Sequence, residues 1–305
     1  MKVAIFYDSA KLKEVEEIKS RISSQGCVVT EYDSATVMRC KMKEDAFPQS
    51  IMEGITHVLF VCEKASLAKV AFVFFAGYSL GAHLPILLVS QSGDDSLPEP
   101  WLHLVTTVEF QTLDSYFAQE VQRFNENEVR ELAKNKLLEK GYSVFNANYV
   151  QAVKNNETEV AKLFIEAGFS PSASDSLGTP VLSLAVRERH LEMVSLLLAS
   201  GADVNATSKD RNYTALMDAA QIGEVKIVQL LLKNNADPNT QSKDGQTALI
   251  LAVGRQDVDV IESLLQSGGD YNLKDGMGMS ALDYVNLFRN EKILSLFEGK
   301  GEAGK

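Results

Sequence analysis

Hydrophobic and polar positions follow two different patterns along the chain, and the change comes near its middle. In the first part, short continuous apolar runs predict β-strands over residues 3–6, 27–30, 57–62, 85–89 and 105–110. Between them, apolar residues recur every three or four positions, which predicts helices over 12–22, 67–80 and 113–124. Buried strands that alternate with helices are typical of a parallel sheet covered on both faces. An α/β domain with about five strands is therefore predicted for residues 1–124.

The C-terminal half repeats itself. A short segment of similar sequence occurs four times. Its third residue falls at 168, 201, 235 and 268, which gives steps of 33, 34 and 33 residues. A leucine series at 182, 216, 249 and 282 gives steps of 34, 33 and 33. A constant step of this size predicts a stack of similar units, each of which buries its apolar face against the next.

The ends of the helices inside each unit can also be predicted. Thr214 and Thr247 stand where a helix begins, and their hydroxyls can accept a hydrogen bond from an otherwise unpaired backbone amide. Gly201 and Gly268 stand where a helix ends and φ must turn positive. Asn235 occupies the same place in another unit, and asparagine tolerates that conformation next best.

The length of this period and the sequences of the recurring segments resemble those of the ankyrin repeat. Residues 213–220 and 246–253 resemble the first helix of that family, and 196–198 and 230–232 resemble its second helix. The resemblance implies an all-α solenoid of about five repeats, including the two terminal ones, over residues 145–299. It also implies a concave surface, made of hairpin tips and first helices, that binds proteins and carries no chemistry of its own.

Residues 125–144 join the two parts. They are highly charged but keep apolar residues in helical register up to Gly141, so we expect a helix that docks on the first repeat rather than a flexible linker. Residues 300–305 are expected to be a frayed tail.

The first domain resembles bacterial Toll/interleukin-receptor (TIR) domains and nucleoside deoxyribosyltransferase-like proteins, which have a flavodoxin-like sheet. Segments 61–66, 74–81 and 84–89 carry the resemblance. In those families a helix glutamate attacks or stabilises the glycosidic carbon of a nucleoside or a nicotinamide dinucleotide. The corresponding position here is Phe75, two residues before Gly77. Because losing a nucleophile can cost on the order of 10⁶-fold in rate, the sequence predicts a degenerate, non-enzymatic domain.

Two alternatives remain open for this domain. A crevice at the carboxyl ends of the strands, near Asp8, Ser9, Glu63 and Tyr78, could still bind a nucleotide-like ligand and make the protein a sensor. Glu63 or Asp8 could also replace the missing glutamate, which would make the protein a nucleoside or NAD glycosidase or a deoxyribosyltransferase.

Composition narrows these choices. The chain has 305 residues, with 41 acidic and 30 scattered basic residues and a net charge of -11, which argues against a nucleic-acid partner. No apolar run is long enough to span a membrane, and the N-terminus does not read as a signal peptide, so a cytoplasmic protein is expected. Three cysteines without a CxxC motif and four histidines without ligand spacing predict neither a metal site nor a cofactor.

The favoured hypothesis is a non-enzymatic adaptor or scaffold that binds a protein partner through its ankyrin repeats. Tyr213, flanked by charged residues, is predicted to be an exposed anchor for that partner. The predicted partner-binding residues lie at hairpin tips or on first helices and are Asp210, Arg211, Asn212, Tyr213, Met217, Asp218, Lys243, Asp244, Gln246, Ile250, Leu251 and Met277.

Overall fold

The computed structural model describes residues 1–7, 11–33, 52–61, 79, 84–90 and 105–297. Contacts within the chain divide it into Met1–Glu128, here called the sheet unit, and Val129–Lys305, here called the repeat unit.

The sheet unit contains a parallel five-stranded sheet. Its strands are β1 (Lys2–Tyr7), β2 (Val28–Asp33), β3 (His57–Val61), β4 (Ile86–Ser90) and β5 (Thr106–Glu109). The order across the sheet is β2-β1-β3-β4-β5, and every neighbouring pair is parallel. The predicted α/β domain with about five parallel strands is confirmed.

Apolar side chains on both faces of the central strands are buried. On one face, Val3 and Ile5 pack with helix α1 (Leu12–Ser24) and with Phe117. On the other face, Phe6 and Phe60 are also buried. This two-sided burial is why these strands read as continuous apolar runs rather than as alternating ones. The predicted helix over 67–80 lies outside the described residues, except for Ser79.

One long helix, α2 (Leu113–Glu139), replaces the two helices expected on either side of residue 125. A short 3₁₀ turn, Phe110–Thr112, precedes it. The expected break is wrong, because exposed polar residues carry the helix through that stretch and none of them stops it. Ala133 and Leu137, near its end, are buried in the same apolar cluster as Tyr149 of the first repeat, as expected of a helix that docks there.

The repeat unit contains five helix pairs among the described residues. The first helices of the pairs are α3 (Asn146–Lys154), α5 (Val181–Arg187), α7 (Ala215–Ile222), α9 (Ala248–Arg255) and α11 (Ala281–Phe288). The second helices are α4 (Thr158–Glu166), α6 (Leu191–Ala199), α8 (Val225–Lys233), α10 (Val258–Gln266) and α12 (Glu291–Phe297). One continuous apolar core runs through all five pairs, so the predicted solenoid is confirmed.

The helix ends follow the sequence closely. The hydroxyls of Thr214 and Thr247 each accept a hydrogen bond, over 3.2 Å, from the backbone amide three residues ahead. Gly201, Asn235 and Gly268 all have positive φ, at 86°, 64° and 85°. These predictions are confirmed.

Asparagine side chains join successive repeats. The Oδ1 atom of Asn205 accepts the backbone amide of Asp237 over 2.8 Å, and Asn239 does the same for Asp270 over 2.7 Å. Each of these asparagines also donates its side-chain amide to a backbone carbonyl of that following repeat, over 3.3 and 3.1 Å. The side chain of each asparagine therefore binds two backbone groups of the following loop.

Candidate protein-binding surface

Hairpin tips connect each second helix to the first helix of the next pair, and they form one edge of the repeat unit. Of the predicted tip residues, Asp210, Lys243, Asp244 and Met277 are exposed. Among the residues that the structure describes, Met277 is the most exposed large apolar one, at 83%. Three further predicted residues are half-buried there, namely Arg211, Asn212 and Gln246.

The tips are bonded to one another. The Lys243 ammonium donates to the carbonyls of Lys209 and Asp210, and the Lys243 amide donates to the Arg211 carbonyl over 3.0 Å. The carbonyl of Asp244 in turn accepts the amide of the next tip over 2.7 Å. A surface held in this way loses little conformational freedom when a partner binds.

Tyr213 is buried, so the prediction of an exposed anchor is wrong. Only 4% of it is accessible. The Arg211 guanidinium lies over its ring, 4.2 Å from the centroid, and its hydroxyl donates to Gln246 Oε1 over 2.9 Å. The next tip supplies this partner from 33 residues ahead, which is why the local sequence does not reveal the burial.

Met217 and Ile250 are also buried, at 1% and 4% exposure. Both belong to the core shared by the helix pairs, so these two side chains stabilise the stack and are not accessible on its surface. Leu251, the next residue on α9, is half-buried and remains partly accessible.

Asp218 is buried at 2% exposure and forms an ion pair with Arg187 of the preceding repeat. The distance from Arg187 Nε to Asp218 Oδ1 is 3.1 Å. Burial raises the pKa of the Asp218 carboxyl above its ordinary value, although the charges of Arg187 and Arg211 oppose that shift. Sequence reasoning missed Arg187; the signal available was an aspartate on an otherwise apolar helix face, which requires a cation nearby.

A groove that the sequence did not reveal lies at the first repeat. It has a volume of about 360 Å³ and is bounded by α3 and by the tip that follows the first pair. Its lining residues are Asn146, Ala147, Val150, Lys154, Asp175, Ser176 and Leu177. Leu177 is 76% exposed at the position of its hairpin that corresponds to Met277.

Comparison with known proteins agrees with this geometry. A family model described as "Ankyrin repeats (3 copies)" matches residues 129–210, 149–242 and 216–298. The chain belongs to the ankyrin-repeat family.

Proteins with related sequences include the following three. A Treponema pallidum (strain Nichols) protein named "Putative ankyrin repeat-containing protein" is 38% identical over 296 residues, which cover 97% of this chain and 99% of that protein. A Bos taurus mitochondrial disaggregase is 30% identical over 155 residues, or 48% of this chain and 22% of that protein. The Arabidopsis thaliana potassium channel AKT2/3 is 33% identical over 66 residues, or 22% of this chain and 8% of that protein.

The residues of the predicted crevice, which are Asp8, Ser9, Glu63 and Tyr78, lie outside the described residues, and so does Phe75. In the part of the chain that the structure describes, no cluster of three His, Cys, Asp or Glu side chains could hold a metal ion. None of the helices found there has the length and apolar character needed to cross a bilayer.

Proposed function

We propose that the protein is a non-enzymatic adaptor that binds a protein partner through the tips and first helices of its ankyrin repeats. The observation that carries the proposal is the row of tips bonded to one another, which presents Asp210, Lys243, Asp244 and Met277 in a fixed arrangement. Nucleic acid is not proposed as the partner, because basic residues are scattered among acidic ones.

Partner capture with matched variants tests this proposal. Asp244→Lys and Met277→Asp, made together, change two exposed tip side chains, while the tip-to-tip bond of Asp244 uses its backbone carbonyl. Glu262→Lys on α10 reverses an exposed charge away from the tips and serves as the control. We expect the tip variant to retain less than about a tenth of the captured partner and the control to retain all of it. Equal capture by both variants would contradict the proposal.

For the sheet unit we propose a degenerate TIR-like module without catalytic activity. The support is chemical, since Phe75 cannot replace the carboxylate that the resemblance requires. Pure protein incubated with nicotinamide dinucleotide or with deoxynucleosides is expected to release no base. Release above a boiled control would show activity, and loss of that release in Glu63→Gln would identify the acid responsible.

A nucleotide sensor is the second candidate, and the strand order favours it. The order reverses between β1 and β3, and α/β proteins bind ligands beyond the carboxyl ends of strands at such a point. A ligand that binds the folded chain raises its Tm. Nicotinamide and adenine nucleotides at millimolar concentration are expected to raise Tm if this candidate holds, and an unchanged Tm with all of them would exclude it.

A further inference from the structure

The groove at the first repeat combines an apolar surface with one basic and one acidic residue, Lys154 and Asp175. Ala147 and Val150 of α3 line it, and Leu177 projects at its rim with 76% of its surface exposed. Its volume of about 360 Å³ falls at the small end of the range for ligand sites and is sufficient for one large side chain.

Hydrogen bonds hold the two walls of this groove in place. Asn146, at the start of α3, donates its side-chain amide to the Ser174 carbonyl in the hairpin over 2.9 Å. Asp175 Oδ1 accepts the backbone amides of Leu177 and Thr179 over 3.0 and 2.8 Å. The Asp175 carboxylate is therefore occupied within its own loop, and the groove exists before any ligand arrives.

Lys154, the last residue of α3, is the group that distinguishes this groove. The corresponding residue of the next repeat, 33 positions on, is Arg187, whose charge is paired with Asp218. The residue that corresponds to Asp218 one repeat earlier, 34 positions back, is Leu184. Lys154 consequently has no internal counter-ion at that place, and it forms no ion pair with any other residue that the structure describes.

We propose that this groove binds a segment of a protein partner that carries a large apolar side chain close to a carboxylate. The apolar side chain lies against Val150 and Leu177, and the carboxylate pairs with the Lys154 ammonium. This inference rests on the proposed function and specifies the chemistry of the partner. Asp175, the acidic residue of the same lining, already accepts two backbone amides, while Lys154 has no ion-pair partner among the described residues. The Lys154 ammonium is therefore the group in the groove that is left to pair with a carboxylate of the partner.

A display library of random 12-residue peptides, selected on the full-length chain, is the first test. We expect the selected peptides to share a large apolar residue within about four positions of Asp or Glu, the span of one helical turn. A selection that yields no common motif, or a motif without an acidic residue, would overturn the inference.

Variants then place the binding site for the best peptide, carried on a fluorophore. Lys154→Glu is expected to raise its Kd at least about tenfold, and Lys154→Arg to leave it within about twofold. Leu177→Asp is expected to weaken binding similarly, while Met277→Asp, the same position of the hairpin three repeats later, is the matched control and leaves Kd unchanged. Leu177 and Met277 are so exposed that neither change threatens the fold.

The outcomes separate this inference from the proposed function. If Lys154→Glu and Leu177→Asp both bind the peptide normally, the inference is wrong, whatever happens at the other tips. If the variants in the groove also capture the natural partner normally while the Asp244→Lys, Met277→Asp variant loses it, the adaptor function stands without this groove. Loss of peptide binding in Lys154→Glu and Leu177→Asp alone supports the inference.

Discussion

In the part of the chain that the structure describes, each unit contains an acid–base pair with a buried member, and burial shifts the pKa values of the two buried members in opposite directions. In the repeat unit the pair is Asp218 with Arg187; in the sheet unit it is His57, 4% exposed, with its Nε2 3.3 Å from Glu120 Oε1. Burial raises the pKa of Asp218 and lowers the pKa of His57, because it disfavours the charged form of each. The partner opposes the shift in both cases.

The difference lies in what remains when the partner is removed. Arg187 cannot lose its charge at any ordinary pH, whereas His57 can remain a neutral ring that still forms hydrogen bonds. The repeat pair is therefore a true ionic contact between neighbouring repeats, and the sheet pair is closer to a polar hydrogen bond between β3 and α2.

The largest expected effect is at Arg187. Arg187→Met leaves the Asp218 carboxyl buried without its counter-ion, and we expect the free energy of unfolding of the repeat unit to fall by about 3 kcal/mol. Hydrogen exchange of α5 and α7 in the full chain measures it. The double variant Arg187→Met, Asp218→Leu is expected to recover most of the loss, since no charge remains buried. A single variant as stable as the unsubstituted chain would show that the pair is not a source of stability.

A smaller effect is expected at Glu120. Glu120→Ala removes the hydrogen bond to His57, which stays neutral near pH 7. We expect the free energy of unfolding of the sheet unit to fall by about 1 kcal/mol. Faster hydrogen exchange of the backbone amides in β1 and β3 measures this loss. Arg123→Ala is the matched control. Arg123 Nη1 also lies 3.4 Å from Glu120 Oε2, but the Arg123 side chain is exposed. Its expected loss is below about 0.5 kcal/mol. Equal losses from the two changes would remove the role assigned to His57.

The pH dependence of the sheet unit sharpens the comparison. Because the pKa of His57 is lowered in the folded chain, its contribution to stability is full above the unfolded value of 6.5 and is lost as the pH falls through the lowered value. For one proton, the free energy of unfolding cannot change by more than about 1.4 kcal/mol per pH unit. The measurement is hydrogen exchange of the backbone amides in β3 between pH 7.5 and pH 5, corrected for the intrinsic exchange rates. His57→Gln is expected to abolish this dependence of stability on pH.

The repeat unit should show the reverse sign and the smallest effect. The pKa of Asp218 is raised, so its contribution is full below the unfolded value of 3.8 and declines as the pH rises through the folded value. Titrating the unsubstituted chain against Asp218→Asn isolates this group from the other carboxylates. A difference in stability that grows towards low pH in favour of Asp218 is expected, and a difference of opposite sign would contradict the assignment.

Features set by neighbouring residues could be predicted from the sequence. The Thr214 and Thr247 caps and the positive φ of Asn235 depend on a few adjacent positions, and the step of 33 or 34 residues reveals the stack. The continuity of α2 was missed because a charged stretch was interpreted as a boundary, although helix formers fill it.

Features set by the next repeat could not be predicted. The hydroxyl of Tyr213 is bonded to Gln246 of the next tip, and this contact cannot be inferred from the identity of the tyrosine. The Asp218–Arg187 pair likewise depends on side chains that meet across two repeats, and the first-repeat groove depends on side chains of α3 that meet those of a hairpin tip. For the candidate site, the sequence correctly indicated that Asp210, Lys243, Asp244 and Met277 are exposed, but Tyr213, Met217, Asp218 and Ile250 were chosen as well and are buried.

The asparagine bridges have a consequence for how the stack comes apart. Asn205 and Asn239 each hold backbone groups one repeat ahead and together join the loops that follow the second, third and fourth helix pairs. Freeing the third pair means breaking these bonds on both of its sides, whereas none of the four bonds holds the fifth pair. Local unfolding should therefore start at the last helix pair and progress inward one pair at a time. A protease should then remove one repeat after another from that end and should not cleave the middle of the repeat unit first.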